Sequence, residues 1–211
     1  MPELLRSLFA TPLRIGLVVS TTLFVVGVGV AAWRVYRRRR ARTMLEASIC
    51  AVGLESLRDR LVPDGMGGTL HAPYLLLTPR GVVVVDLWDV AGNIFGSDQM
   101  EEWTVMAGSR RSTFLNPQPA MYDRVAAVKV LAGEMPVEGR MVFTRRGTFP
   151  KGLPRWTLSV ESLRLEFPPM EDSTADACRA RYRDEWAAVV DGTTSGPHKQ
   201  SASFLQELFL G

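Results

Sequence analysis

An uncharged run of nineteen residues, Ile15–Trp33 (IGLVVSTTLFVVGVGVAAW), constrains this chain more than any other feature. At about 1.5 Å per residue a helix of that length covers roughly 28 Å, close to a bilayer hydrocarbon core of about 30 Å. Its Val, Gly and Thr content suits a helix in water poorly, but lipid enforces a helix because unpaired backbone groups are costly there. Arg6, Arg14 and Glu3 precede the run, whereas Arg34, Arg37, Arg38, Arg39, Arg40 and Arg42 follow it. This asymmetry predicts a transmembrane helix over 15–36, with a short extracytoplasmic N-terminus (1–14) and the rest of the chain in the cytoplasm. The expected location is the inner, cytoplasmic membrane in a single pass. The expected first partner is the lipid bilayer, with Arg37–Arg40 and Arg42 in a juxtamembrane segment (37–42) against anionic headgroups. A cleaved signal peptide fits less well, because its apolar core is shorter, about 7–15 residues, and ends in a small-residue cleavage site.

Charge divides along the same line. Residues 1–42 carry eight Arg and one acid, while residues 43–211 carry 17 basic and 21 acidic side chains. The basic character therefore belongs to the N-terminal segment, and the remainder has no global field to draw in duplex DNA. The two cysteines, Cys50 and Cys178, are far apart and sit in apolar patterns, so they form neither a disulfide framework nor a zinc knuckle. His71 and His198 stand in unrelated contexts, and no metal site is expected from them.

Residues 43–191 read as one cytoplasmic domain and 192–211 as a tail. Leu45, Ile49, Val52 and Leu57 recur at helical spacing over 43–61. Asp64–Gly68 (DGMGG) is a turn, and Tyr74–Thr78 and Val82–Leu87 are strands joined by Pro79-Arg80-Gly81 as a hairpin. Ala91–Asn93 turns into Ile94-Phe95, and Trp103–Met106 reads as an edge strand. Asn116-Pro117 starts a helix that carries Met121, Val125, Val128 and Ala132 on one face. Met141–Phe143 is a core strand, 145–157 a basic loop, 158–167 a strand around Val160 and Leu163, and 173–190 a last helix. Phe204-Leu205 and Leu208–Leu210 suggest a short docking helix in the tail. The pattern is a mixed α/β sandwich without internal repeats.

The run Leu75–Ile94 (LLLTPRGVVVVDLWDVAGNI) resembles the centre of the nuclease-related domain (NERD) family, whose members share a restriction-endonuclease-like core. Pro79 and Gly81 match the family's turn, Val82–Val85 its strand and Asp86 the acid of its acid-x-Lys motif. Gly92, Ile94, Trp103, Asn116 and Pro117 match the continuation. The resemblance implies a mixed sheet flanked by helices. It also implies a site at which the first acid falls on Pro73, its histidine on Tyr74, the lysine on Trp88 and a glutamine on Ala120. Only Asp86 is retained at a catalytic position.

Phosphodiester hydrolysis needs a metal held by at least two anionic ligands and a group that activates water. The leading expectation is therefore a membrane-anchored, catalytically silent nuclease-like domain that serves as a binding or scaffold module, without a cofactor. The alternative is a divergent, membrane-tethered DNA or RNA endonuclease that uses Mg²⁺, Asp86 and other acids such as Glu46. Asp89 is a weaker candidate, three residues from Asp86 and thus on the opposite face of a strand. Arg145, Arg146, Lys151 and Arg155 make a basic cluster, either a solvated loop or a contact surface for nucleic acid or an acidic protein partner.

Overall fold

The computed structural model describes residues 2–169 and 171–196, with side chains from residue 20 onward except 21, 22 and 38. It divides into two compact units, Met1–Glu46 and Ala47–Gly211. The first is helical, part of α1 (Pro2–Cys50). Among the described residues no helix is long and apolar enough to cross a membrane. The uncharged stretch whose side chains are all described is Leu23–Trp33, about 16 Å of helix and half a hydrocarbon core. The expected span over 15–36 is corrected on this finding. The bilayer and headgroup partners, the N-out topology and the inner-membrane location fall with it. The side chains of 15–19, 21 and 22 lie outside the described residues. In the arginine block, Arg37 stacks on Trp33 at 4.9 Å and Arg42 pairs with Glu46 at 3.1 Å, one turn along the same helix.

The second unit holds β1 (Glu55–Pro63), β2 (Thr69–Thr78), β3 (Gly81–Trp88), β4 (Gly92–Phe95), β5 (Glu102–Ala107) and β6 (Arg110–Leu115). After these come α2 (Gln118–Ala132), β7 (Val137–Phe143), β8 (Gly147–Thr148) and β9 (Thr157–Ser159). The chain continues through α3 (Val160–Glu166), α4 (Asp172–Arg181), α5 (Arg183–Gly192) and β10 (Thr194–Ser195). Among the described residues the strands form two sheets, ordered β10-β1-β2-β3-β7-β9 and β6-β5-β4-β8. β1, β2 and β3 are antiparallel, whereas β7 and β9 add in parallel to β3, so the larger sheet is mixed. This matches the expected mixed sheet flanked by helices.

The Val82–Val85 run is buried on both faces, which explains why it lacks an alternating pattern. The β2–β3 turn is set by Gly81, whose φ of 111° is unfavourable for a side chain. A Cβ there would also lie 2.1 Å from the Pro136 carbonyl oxygen, the acceptor of the Val82 N–H. The edge of β1 is held by Arg60. Its guanidinium donates to Thr193 Oγ1, Ser195 Oγ and the carbonyls of Val190 and Thr193 at 2.7–3.1 Å. Those carbonyls end α5, where a cation also meets the negative end of the helix dipole.

Several expectations about the elements are corrected. The helix expected over 43–61 stops at Cys50, and its second half is strand β1. Short amphipathic stretches fit either period, and the choice falls to pairing with β2, from Glu55↔Leu77 to Pro63↔Thr69. The strand expected over 158–167 is mostly α3. Ser159 caps it by accepting from the Ser162 N–H at 3.0 Å, a local bond that favours a helix start. The last helix is broken at Tyr182 into α4 and α5. Trp103–Met106 lies inside the smaller sheet, because the polar β6 forms the edge beyond it. The tail motif 204–210 lies outside the described residues.

Helix α2 crosses β7 at Gly139, where an added Cβ would sit 2.8 Å from Met121 Cγ and Sδ and 2.9 Å from Val125 Cγ2. Replacing Gly139 with valine is expected to lower stability by about 1–3 kcal/mol through overpacking. Urea denaturation should show a lower midpoint, and an unchanged midpoint would contradict this close helix–sheet approach.

Candidate functional site

Asp86, near the end of β3, faces α2 with Val82 and Val84 and is 3% exposed. A carboxylate so deep needs an answering charge, and Arg124 of α2 supplies it, donating from Nη1 to Asp86 Oδ2 at 2.9 Å. Burial pushes the Asp86 pKa above the ordinary carboxylate value. The Arg124 charge, the Trp88 indole and the charge of His71 pull it back only in part. Trp88 Nε1 makes no hydrogen bond of ordinary geometry, although its N–H lies close enough to favour the charged carboxylate.

The strand registers explain what surrounds Asp86. Tyr74 pairs with Val85, so the next step along β2 sets Pro73 opposite Asp86. Arg58↔Tyr74 and Arg60↔Ala72 bracket Asp59, which thus stands across from Pro73 on β1. On the other side Asp86 pairs with Met141. One row across the sheet therefore reads Asp59, Pro73, Asp86, Met141. The position that the resemblance gives to a first acid is indeed the cross-strand neighbour of Asp86, where Cβ atoms lie about 4.5–5.5 Å apart. Proline fills it and removes a ladder donor, and opposite it Asp59 takes a left-handed φ of 47°. His71 sits two residues before Pro73, with Nε2 3.3 Å from Asp59 Oδ1.

The resemblance sets Trp88 at the position of the motif lysine. Its ring stacks on Phe114 (5.4 Å between centroids, 26° between planes) and Phe143 (6.0 Å, 18°). Trp103, fully buried, contacts the same two rings and Phe149, and its Nε1 donates to Ser97 O at 3.2 Å. An apolar stack thus occupies the ground beside Asp86. Asp89 is held elsewhere, accepting from Thr144 Oγ1 at 2.7 Å and from Arg146 at 2.9 Å. Among the described residues no group of three or more His, Cys, Asp or Glu side chains is arranged to hold a metal ion. Arg124 also occupies one of the two carboxylate oxygens of Asp86. The donor set does not fit Mg²⁺, and the expected alternative of a tethered metal-dependent endonuclease is corrected on that ground.

The remaining expected residues serve the frame. Gly92 opens β4, its N–H donating to Arg146 O at 2.9 Å. Asn116 Oδ1 accepts from the Gln118 N–H at 3.0 Å, closing the turn in which Pro117 starts α2. The basic cluster splits. Arg145 pairs with Glu161 and Arg146 with Asp89, whereas Lys151 and Arg155 line a separate cleft.

Three residues escaped the sequence reading. Arg124 lies three positions after Met121 and four before Val128, on the buried stripe of α2, and a lone cation on such a stripe signals a buried anion. Gln118, 5% exposed, donates from Nε2 to Asp98 Oδ1 (2.7 Å) and Arg155 O (2.9 Å). It lies two places before the motif glutamine position, Ala120, so the motif search passed over it. Asp59 was masked by the helix expected there.

The family model described as nuclease-related domain matches residues 38–144. No curated protein and no solved structure matches the chain.

A group whose folded-state pKa is raised stabilises the fold at low pH, and that contribution fades as pH climbs from the unfolded value, about 3.9, through the folded one. Arg124→Met removes the cation and raises the Asp86 pKa further. The variant is expected to lose about 3–5 kcal/mol near pH 7, where a bare carboxylate is buried, and less as pH falls toward 4. Asp86→Leu combined with Arg124→Met should recover most of the loss. Denaturation curves at both pH values check this, and a pH-independent deficit would count against it.

Proposed function

We propose, from the premise that this chain belongs to the nuclease-related domain family, that it is a non-hydrolytic member whose scaffold serves as a binding module. The observation that carries the reading is the Asp86–Arg124 ion pair. In a hydrolytic site the acid at this position is left open to a cation. Here the cation is a side chain of the same domain, fixed on a helix that packs against the strand. A divalent ion would have to displace it while gaining a single carboxylate, which leaves Mg²⁺ mostly hydrated and weakly held.

The neighbouring positions support the same reading. Pro73 offers no ligand opposite Asp86, and the Trp88 indole can neither carry a positive charge nor take up a proton. Its stacking on Phe114 and Phe143 gives it a packing role instead. The scaffold itself is kept: turn, strand, crossover helix and the Asn116 turn all stand in order.

Full-length protein incubated with labelled DNA and RNA, in Mg²⁺ or Mn²⁺, is expected to leave both intact. Its Tm should not rise with about 10 mM Mg²⁺, since a bound ion would stabilise by mass action. Cleavage that disappears in Asp86→Asn would refute the reading, as would a Mg²⁺-dependent rise in Tm that the same substitution removes.

A further inference from the structure

A cleft of about 410 Å³ opens between residues 96–99, after β4, and residues 151–155, before β9. The second wall lies beyond the family-matched residues 38–144. Both walls are held in place. Gln118 reaches from beneath to Asp98 Oδ1 and Arg155 O, and the Arg155 N–H donates to the same Asp98 oxygen at 2.9 Å. The loop is closed by Gly152 N–H to Phe149 O and Thr157 N–H to Pro154 O. It ends at Trp156, held at a φ of 63° with its ring 4.1 Å from that of Tyr122. A bulky residue in that conformation is kept there only by its surroundings.

The cations on this wall differ from their neighbours. Arg145 and Arg146 are ion-paired, but Lys151 and Arg155 form no ion pair among the described residues. They rest on rings instead, Lys151 over Phe95 at 5.9 Å and Arg155 over Trp156 at 5.4 Å. Two available cations on one wall suit an oxyanion with several acceptor oxygens. On the facing wall Asp98, close enough to feel the Arg155 charge, uses Oδ1 for both loop contacts, and among the described residues its Oδ2 makes no hydrogen bond. The Gln118 and Arg155 N–H bonds hold its pKa below the usual carboxylate value, so it stays charged. A ligand that is anionic throughout would be repelled there. One that is anionic at one end and rich in hydroxyl donors at the other would satisfy both walls, and the volume exceeds what a simple ion needs.

The geometry points to this cleft as a binding site for a small phosphate monoester carrying vicinal hydroxyls. The phosphate lies against Lys151 and Arg155, and the hydroxyls donate to Asp98 Oδ2. This deepens the reading of the domain as a binding module and rests on it. A sugar phosphate and a mononucleotide share the required chemistry.

Calorimetric titration of the full-length protein with ribose 5-phosphate, AMP and inorganic phosphate tests the assignment. Ribose 5-phosphate is expected to bind more tightly than inorganic phosphate. Lys151→Met and Arg155→Gln should each weaken it about tenfold, the scale of one charge-assisted contact. Asp98→Asn keeps the acceptor for Gln118 and Arg155. It should weaken ribose 5-phosphate but leave inorganic phosphate binding equal or stronger. AMP binding as tightly as ribose 5-phosphate assigns a nucleotide, and ribose 5-phosphate alone assigns a sugar phosphate; either supports the site. No binding in the millimolar range would overturn it, as would binding that ignores the Lys151 and Arg155 substitutions in variants of unchanged Tm. Loss of inorganic phosphate binding in Asp98→Asn would overturn the hydroxyl assignment. Nucleic-acid cleavage would refute the non-hydrolytic reading alone, without touching these affinities.

Discussion

A strand buried on both faces cannot end in a charge unless something inside the domain answers it. β3 is such a strand, and it carries Asp86 near its end. The answer comes from Arg124, and that one pair fixes how α2 must lie on the sheet. The helix has to place position 124 over the end of β3 while Met121 and Val125 pass Gly139 on β7. Gly139 gives the close approach, and the ion pair gives its register along the helix. Buried pairs seldom add stability over an apolar substitute, but they do specify an arrangement, since a slipped helix would leave both charges unanswered. The Asp86–Arg124 pair has that character.

From this constraint the two ends of the sheet follow different rules. On the β1 side the edge is closed by hydrogen bonds, with Arg60 joining β1 to the end of α5 and to β10. On the β7 side it is held by charge. Glu138 and Arg140 of β7, Arg80 of the β2–β3 turn and Glu166 of α3 form one network. These groups are partly solvated, so each pair contributes little alone. Their joint effect is to tie a turn, a strand and a helix together.

The legible parts of the chain were those in which one local signal decides. The Pro79–Gly81 turn, the double-buried Val82–Val85 strand and the Asn116-Pro117 helix start were of this kind, and each is where the sequence placed it. Where two local readings compete, distant partners decide, and 43–61 shows this. Its Leu and Ile spacing suits a helix, but residues 55–63 find in β2 a partner the local pattern cannot reveal. The same holds for 158–167, where Ser159 capping outweighs a β-like composition. The site was half legible. Pro73 and Trp88 lie beside Asp86 at positions the sequence singled out, whereas Arg124 and Gln118 lie far along the chain from the groups they serve. The uncharged run at 15–33 misled in another way, because length and hydropathy carried a whole topology that the described helix does not sustain.

An ion pair and a cluster of carboxylates differ in what they cost a fold. Carboxylates held close in a hydrolytic site repel one another and are desolvated until a cation arrives, so the empty site is a standing cost to the fold. In this domain the row Asp59, Pro73, Asp86, Met141 spaces its two acids with a proline. One acid lies 3.3 Å from His71, and the other is bound to Arg124. The half-buried Trp88 stack lays apolar surface beside the same region, and a lower local dielectric strengthens an ion pair. Each feature supports the others. A lysine at position 88 would stand in a ring stack, and an acid at position 73 would set a second buried carboxylate against Asp86. Either would leave Arg124 on Asp86, so Arg124 is the residue that holds the arrangement in place.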